Sequence, residues 1–393
     1  MSRRRGGNLL LVLTGVLVGL FILEVGLRVA GISYPYFYVP DPIVGYAHKP
    51  HAEGWWKKEG FAYVRISSAG FRDREHTKEK PPGTFRIAIL GDSYSEALQV
   101  PIEQTYWAIV ESKLRQCQTL DGRPVEVMNF GVSGYSTGQE LLVLQHRVWD
   151  YAPDLVLLAF LTGNDIQENS FALMGDSIRP YFVLQDGRLS LDSSFRDSLT
   201  YQLQSLPFSS EAFEYSRVLQ VLREGNYRFL SRLRDSSLRK NMIAANREAE
   251  TTPESFVYVE PQQRAWEEAW QVTEMLLAKV HREVTRRSAD FLLVTLSNPA
   301  QVHPNPRQRH VYAGTVGVQD LQYPDRRIAS WAEHHDVTLL SLVQPLAAYA
   351  EEHQVFLHGF SNATVGDGHW NAEGHRVAGD LIAQKVCSLS YLR

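Results

Sequence analysis

The chain is poor in cysteine, with only Cys117 and Cys387 among its 393 residues. Two thiols exclude a disulfide scaffold and a four-thiolate zinc site, and the sequence leaves open whether the two pair with each other. Cys/His clusters with zinc spacing and a glycine-rich phosphate loop are also missing from the sequence. We therefore expect neither a metal nor a cofactor.

A strong excess of either charge is also lacking, since 40 Lys and Arg stand against 44 Asp and Glu, for a formal net charge of −4. This balance disfavours nucleic acid as the main partner, because phosphate binding normally requires a basic excess. Hydrophobic residues make up 44% of the chain and charged residues 21%, which is ordinary for a globular protein with a large buried core.

One long apolar run stands at the N-terminus, where residues 9–23 carry no charge and apolar residues continue to Ile32 after Glu24 and Arg28. The run through Ile32 covers the roughly 20 residues that a bilayer core requires. It predicts a transmembrane signal anchor over residues 8–32, with Glu24 and Arg28 paired on one helix face. The rival interpretation is a cleaved signal peptide, although the two charges lie where a neutral cleavage site belongs.

The charges around this run predict its orientation. Three arginines occupy positions 3–5, whereas residues 32–48 contain no arginine and only Lys49 follows shortly after. By the positive-inside rule, residues 1–7 are cytoplasmic and the remainder of the chain is exported, to a periplasmic or other extracytoplasmic location. Residues 33–83 then form a juxtamembrane segment, which has no clear hydrophobic period.

Beyond residue 84 the chain alternates between apolar runs and helix-length stretches. Five runs predict strands, at 86–90, 125–130, 155–161, 291–296 and 337–342. Helices are expected at 102–116, 138–150, 263–287, 324–334 and 372–388. Near-continuous apolar strands alternating with helices indicate an α/β domain, over 84–393, in which helices cover both faces of a parallel sheet.

Residues 166–262 interrupt this alternation and are too numerous for a plain loop, so we expect an insertion with a mainly helical structure of its own. Within it, residues 217–240 are rich in arginine and carry leucines at helical spacing. This stretch is either a surface for anionic lipid or an anionic polymer, or a solvated arginine-rich face.

Polar turns that contain glycine directly follow the first three predicted strands. They are Gly91-Asp-Ser-Tyr-Ser95, Asn129-Phe-Gly-Val-Ser-Gly134 and Thr162-Gly-Asn-Asp165. Because parallel strands end at one edge of the sheet, we expect these turns to meet there. A fourth motif, Gly366-Asp-Gly-His-Trp-Asn371, precedes the last helix. A nucleophilic serine needs a base, and the base needs an orienting partner, so Asp367 and His369 are candidates to activate Ser93.

These motifs resemble those of the SGNH, or GDSL-type, hydrolase family, whose marker residues are Ser, Gly, Asn and His. The matching positions are Ser93, Gly134, Asn164 and His369, in the family's order, and the resemblance covers roughly residues 84–165 and 263–390. It implies a flavodoxin-like doubly wound sheet and an acyl-ester site. Ser93 is the implied nucleophile and His369 the implied base. The implied oxyanion hole consists of the backbone N–H groups of Ser93 and Gly134 and the side-chain amide of Asn164.

The last motif departs from the common family pattern, which has Asp three residues before His, where this chain has Gly366. The spacing Asp367-x-His369-Trp370 is instead similar to that of SGNH proteins that act on bacterial exopolysaccharides. We expect Asp367 to orient His369. A backbone carbonyl at His369 Nδ1 is the alternative, and His375 is a second candidate for the base.

Three functions agree with these residues. The first is a membrane-anchored serine esterase that removes acyl groups, such as acetyl, from a cell-envelope glycan or lipid. The second is an O-acyltransferase, in which a hydroxyl of an exported polysaccharide replaces water at the acyl-enzyme. The third is a non-catalytic envelope scaffold on the same fold. The presence of nucleophile, base and oxyanion residues together favours an enzyme.

Overall fold

The computed structural model describes residues 2–206, 215–226 and 253–389. Its strands are β1 (Tyr38–Asp41), β2 (Gly45–His48), β3 (Glu53–Trp56), β4 (Ala62–Arg65), β5 (Phe85–Gly91), β6 (Val125–Asn129), β7 (Leu155–Phe160), β8 (Tyr181–Gln185), β9 (Arg188–Asp192), β10 (Asp290–Thr295) and β11 (Leu339–Ser341).

The helices follow in the same chain order. They are α1 (Ser2–Val29), α2 (Ser93–Glu96), α3 (Tyr106–Leu114), α4 (Thr137–His146), α5 (Asp165–Glu168), α6 (Phe171–Met174), α7 (Leu199–Gln204), α8 (217–226), α9 (Arg264–Arg286), α10 (Pro306–Val316), α11 (Tyr323–His334), α12 (Val343–His353) and α13 (Ala372–Ser388).

Five parallel strands form the central sheet, in the spatial order β6-β5-β7-β10-β11. Numbered by their order in the chain, these strands are arranged 2-1-3-4-5, which is the flavodoxin-like order. The predicted doubly wound five-stranded parallel sheet is therefore confirmed. The order in which strands are added reverses between β5 and β7, and ligands of open α/β sheets bind at the carboxyl ends of the strands at such a point.

Hydrophobic cores lie on both faces of this sheet, because successive side chains of a strand point to opposite sides. On β5, Leu90 joins the core that contains Trp270 of α9, whereas Ile89 joins the core that contains Trp107 of α3. All four side chains are almost completely buried. Strands buried on both sides have no polar face, which explains why they read as short continuous apolar runs.

Two helices of the sheet domain that are longer than two turns were not predicted. Pro306 stands at the first position of α10, where a missing N–H costs no hydrogen bond, and Asn305 caps the helix through the Arg307 N–H at 2.9 Å. The second, α12, follows the shortest strand, β11, almost without a connection.

The N-terminal helix α1 is exposed along most of its described length, with Glu24 and Leu27 half-buried, and residues Leu11–Val29 are long and apolar enough to cross a membrane. A membrane anchor and a signal sequence both meet this criterion. Arg28 Nε donates to Glu24 Oε1 at 2.8 Å, so the expected pairing of these two charges is confirmed.

The segments that precede and interrupt the sheet domain contain hairpins that the sequence did not indicate. β1 and β2 form one antiparallel pair, β3 and β4 a second, and β8 and β9 a third within the insertion. The described remainder of the insertion is mainly helical, as expected. Of the basic stretch 217–240, α8 is described, and residues 227–240 lie outside the described part of the chain.

Cys117 and Cys387 form a disulfide, which answers the question that the sequence left open. The bond joins the segment after α3 to the end of α13, and these two helices pack against each other in the same core. It therefore closes a covalent loop around most of the sheet domain.

Candidate active site

Ser93 lies at the sharp turn from β5 into the short helix α2. Asp92 caps this helix, and its Oδ1 accepts a hydrogen bond from the Tyr94 N–H at 2.9 Å. Gly91 is required at the turn, since a Cβ there would lie 2.2 Å from Ser95 Oγ. The Ser93 side chain is thus held at the sheet's carboxyl edge, where it is 8% exposed.

His369 meets Ser93 from the loop before α13. The distance between His369 Nε2 and Ser93 Oγ is 2.8 Å. The loop is fixed by its neighbour Trp370, which is completely buried and donates from Nε1 to Ser297 Oγ at 2.9 Å. Tyr94 Oη adds a hydrogen bond to the Gly368 carbonyl at 3.0 Å. The predicted contact between Ser93 and His369 is therefore present.

Glu59, and not Asp367, is the partner of the other ring nitrogen of His369. Glu59 Oε2 lies 2.5 Å from His369 Nδ1, and Glu59 Oε1 accepts the His369 backbone N–H at 2.8 Å. The expectation that Asp367 orients His369 is wrong. Asp367 is exposed, and its carboxylate accepts the N–H of the next residue, Gly368, at 2.9 Å.

The acid comes from the turn between β3 and β4, 310 residues before the histidine. The Trp56 indole donates to the Glu59 carbonyl at 2.9 Å, and the Gly60 N–H donates to Asn362 Oδ1 at 3.0 Å. Gly368 leaves room for the carboxylate, because a Cβ there would lie 2.3 Å from Glu59 Oε1. The sequence interpretation missed Glu59, since nothing in the aperiodic segment 33–83 distinguishes this acid from its neighbours.

Charge and burial act in opposite directions on this pair. Burial disfavours the charged imidazole, but the hydrogen bond and negative charge of Glu59 outweigh it and raise the pKa of His369. Burial likewise favours the neutral carboxyl, yet the contacts with His369 hold the pKa of Glu59 below its usual range. Both shifts favour a charged carboxylate beside a ring that accepts a proton readily.

Other histidines do not contact Ser93. His375, the second candidate for the base, is buried, and its Nδ1 accepts the Tyr106 N–H of α3 at 3.3 Å. Burial lowers the pKa of His375 to about 3 and that of His358 to about 4, so both rings are neutral near pH 7. His358 bonds the Gly368 carbonyl through Nδ1 at 2.9 Å and supports the loop of His369.

The predicted oxyanion residues lie beside the Ser93 turn. Asn164 Nδ2 donates to Asp92 Oδ2 at 3.0 Å, which ties that amide to the residue before the serine. The loop that contains Gly134 joins the same turn, because the Val132 N–H donates to the Gly91 carbonyl at 3.2 Å. Within the described chain, no residue accepts a hydrogen bond from the backbone N–H of Ser93 or Gly134, so both donors are available to a ligand.

Residues from outside the sheet hold the Gly134 loop. Gly134 has a φ of 73° and faces Tyr46 Oη, which would lie 2.9 Å from a Cβ at this position. Tyr46 Oη donates to the Ser133 carbonyl at 2.8 Å, and Arg179 Nη1 donates to the Gly134 carbonyl at 2.8 Å. Tyr46 belongs to β2, before the sheet domain, and Arg179 to the insertion, so both segments shape this side of the site.

Two hydrogen bonds connect the side chains of Ser93, His369 and Glu59. Beside the serine, the backbone N–H groups of Ser93 and Gly134 have no acceptor among the described residues. This arrangement suits nucleophilic attack on a carbonyl, with transfer of the serine proton to the imidazole. Among the described residues, no group of three or more His, Cys, Asp or Glu side chains is arranged to hold a metal ion.

No protein-family model matches the chain. An arylesterase of Vibrio mimicus is 35% identical over 80 residues, which is 20% of this chain and 38% of that protein. The chain therefore spans well under half the length of this relative.

Solved structures with a similar fold include the acetyl xylan esterase AlAXEase, with 14% identity, a TM-score of 0.39, and coverage of 77% of this chain and 100% of that one. TesA has 13% identity and a TM-score of 0.36, with 77% and 99% covered. A GDSL-like lipase from Bacteroides thetaiotaomicron has 12% identity and a TM-score of 0.33, with 77% and 87% covered.

Proposed function

We propose that this protein is a serine esterase whose nucleophile, base and orienting acid are Ser93, His369 and Glu59. The observation that carries the proposal is a pair of hydrogen bonds through His369. One joins Ser93 Oγ and His369 Nε2 at 2.8 Å, and the other joins His369 Nδ1 and Glu59 Oε2 at 2.5 Å. A serine hydroxyl is a weak nucleophile unless a correctly oriented base accepts its proton, and this geometry supplies one.

In the first half of the reaction, Ser93 Oγ attacks the ester carbonyl carbon while its proton moves to His369 Nε2. The carbonyl oxygen becomes an oxyanion, held by the Ser93 and Gly134 N–H groups and the Asn164 amide. One such donor typically stabilises the transition state by about 2.7–4 kcal/mol. Collapse of the intermediate breaks the bond to the leaving alcohol, which takes the proton from His369, and leaves an acyl group on Ser93.

In the second half, water replaces the alcohol. His369 accepts a proton from the water as its oxygen attacks the acyl carbonyl, then returns that proton to Ser93 Oγ as the acid product leaves. Glu59 keeps the imidazole in the tautomer with hydrogen on Nδ1, so that Nε2 is free to accept. The carboxylate also stabilises the imidazolium that exists between the two transfers.

For the substrate, we propose an acyl ester of a cell-envelope glycan or lipid, with O-acetyl as the simplest acyl group. The apolar helix α1 and the arginines before it support a membrane-anchored enzyme with an exported catalytic domain. The disulfide between Cys117 and Cys387 supports the same location, because such bonds persist mainly in oxidising compartments.

The direct test is labelling of the full-length protein, in lipid nanodiscs, with a fluorophosphonate probe that reacts with activated serines. Wild type should label, and Ser93→Ala and His369→Ala should not. Glu59→Ala and Asp367→Ala form the matched pair. We expect strongly slowed labelling of the first and wild-type labelling of the second. A folded wild-type protein that does not label would refute the esterase and favour the scaffold.

A further inference from the structure

The turn that carries Glu59 is held from two sides. On one side, Asn362 of the His369 loop accepts the Gly60 N–H and donates through Nδ2 to the Gly60 carbonyl at 2.8 Å. On the other side, Lys58 Nζ lies 3.0 Å from Glu224 Oε2 on α8. The residue next to the proposed catalytic acid is therefore paired with the insertion, which lies outside the sheet.

This ion pair is less exposed to solvent than a pair that lies entirely on the surface. The Glu224 side chain is 11% exposed and that of Lys58 is 38% exposed, so solvent screens the pair only in part. Lys58 Nζ also lies 5.5 Å from the centre of the Trp56 ring, and the Trp56 indole donates to the Glu59 carbonyl. A change at Lys58 thus reaches the backbone of Glu59 through the Trp56 ring, whose indole donates to the Glu59 carbonyl at 2.9 Å.

The beginning of α8 is bound to the N-terminal helix. The Glu24 carboxylate of α1 accepts the backbone N–H groups of Arg217 and Val218, both at 3.0 Å, and the Ser216 hydroxyl at 3.0 Å. The Arg28 guanidinium donates to the Tyr215 carbonyl. A carboxylate at this position satisfies N–H groups that a helix leaves unpaired, and it complements the positive end of the helix dipole.

The middle of α8 is tied to the chain that leaves α1. Gln220 is buried, and its Oε1 accepts the Tyr34 N–H at 3.0 Å. Arg223 donates to the Tyr34 carbonyl at 3.3 Å and lies 4.3 Å from the centre of the Tyr36 ring. Between its capped end and Glu224, α8 rises about 10 Å, at 1.5 Å per residue.

We infer that α8 connects the end of α1, the helix that is apolar enough to cross a membrane, to the turn that carries Glu59; we call this connection the strut. Within it, Lys58 and Glu224 form an ion pair that positions Glu59 in the proposed esterase site. The inference rests on the proposed function for the role of Glu59. Glu224 contacts neither Ser93 nor His369 in the structure, so its action runs through Lys58 and the turn.

One consequence concerns the insertion, because through α8 it helps to position Glu59 in the proposed site. A second concerns the anchor. Because Glu24 caps the strut, the position of Glu59 depends on the end of α1.

The test compares Glu224→Gln, Lys58→Met and the double variant, as full-length protein in nanodiscs, with p-nitrophenyl acetate as the ester. Each single variant should lower kcat/KM by about twofold to fivefold, the range expected when a partly screened ion pair is lost. The double variant should be no worse than Lys58→Met alone, because both single changes remove the same ion pair and Lys58→Met also removes the contact with Trp56. Additive losses would overturn the inference.

A second measurement reads the position of Glu59 without any turnover. Glu59, Asp92 and Glu96 all act electrostatically on His369, and Glu59 is the group in hydrogen-bond contact with it. In protein labelled with 13C-histidine, and with the His369 signal assigned from His369→Gln, the midpoint of titration should fall in Glu224→Gln and in Lys58→Met. It should fall furthest in Glu59→Gln.

The controls distinguish an effect of the strut from a general loss of structure and from failure of the proposed function. Lys78 and Asp150 form an exposed pair at 2.6 Å, away from the site, and Lys78→Met should leave both rate and titration unchanged. An unchanged His369 midpoint in Glu224→Gln and Lys58→Met, with a lowered one in Glu59→Gln, would refute the strut. A protein that hydrolyses no ester but shows the titration shifts would refute the esterase and support the strut.

Discussion

Replacement of Glu59 by glutamine tests the site most directly, because it preserves the size of the side chain and changes only its hydrogen-bonding. The carboxylate accepts two hydrogen bonds from His369, from the ring Nδ1 and from the backbone N–H. An amide offers one accepting oxygen and one NH2 group. If the NH2 group faces Nδ1, the ring hydrogen moves to Nε2, which then cannot accept the proton of Ser93.

The loss in rate follows from this change of tautomer. An acid-to-amide change at the equivalent position of a serine protease lowers kcat by about 10⁴, and we expect about 10³–10⁴ for Glu59→Gln. Burial would continue to disfavour the charged ring while the raising effect of Glu59 disappears, so the pKa of His369 should fall below its usual value. The acidic limb of the kcat/KM profile, which requires a neutral His369, should move to lower pH.

The same variant should change stability in a defined pH window. The lowered pKa of Glu59 gives stability that is present above its ordinary value of 4.5 and lost as the pH falls through the folded pKa. The raised pKa of His369 gives stability that is present below its ordinary value of 6.5 and lost as the pH rises through the folded pKa. The free energy of unfolding lost in Glu59→Gln should therefore be largest between about pH 4.5 and 6.5.

Rates of p-nitrophenyl acetate hydrolysis and of fluorophosphonate labelling, measured from pH 5 to 9, check the first two expectations, and urea titrations check the third. Asp367→Asn is the matched control and should behave as wild type, because Asp367 is exposed and bonded to its own chain. Full activity in Glu59→Gln together with inactivity in Asp367→Asn would refute the assignment of the acid.

Three further predictions concern the oxyanion side and the disulfide. Gly134→Ala should reduce kcat/KM by at least tenfold, because the new Cβ would lie 2.9 Å from Tyr46 Oη on a backbone with a φ of 73°; an unchanged rate would contradict the expectation that this Cβ displaces the Gly134 N–H from the oxyanion. Asn164→Ala should lower kcat by about 10²–10³ with little change in KM, as steady-state kinetics can establish, and a change in KM alone would point to ground-state binding instead. Replacement of both Cys117 and Cys387 by serine should cost about 2–5 kcal/mol in the free energy of unfolding, measured in urea, and no loss would show that the bond does not constrain the unfolded chain.

Much of the site follows from local sequence, because it is built on strand ends. A strand buried on both faces is apolar throughout, and the polar turn that follows it must lie at the edge of the sheet. This reasoning predicted the five strands to within two residues at each end. It also predicted that Ser93 and His369 would meet, which they do at 2.8 Å.

What the sequence alone determined was therefore the sheet, five of its longer helices and the serine–histidine contact, since each depends on periodicity and on residues beside regular elements. The tertiary structure decided the rest. Asp367 stands two residues from His369, yet the ring bonds Glu59, because a chain segment 310 residues away folds into a hairpin whose turn reaches Nδ1. The disulfide and the contacts of α8 likewise join distant segments, and such contacts depend on how separate elements pack, which leaves no periodic trace in the chain.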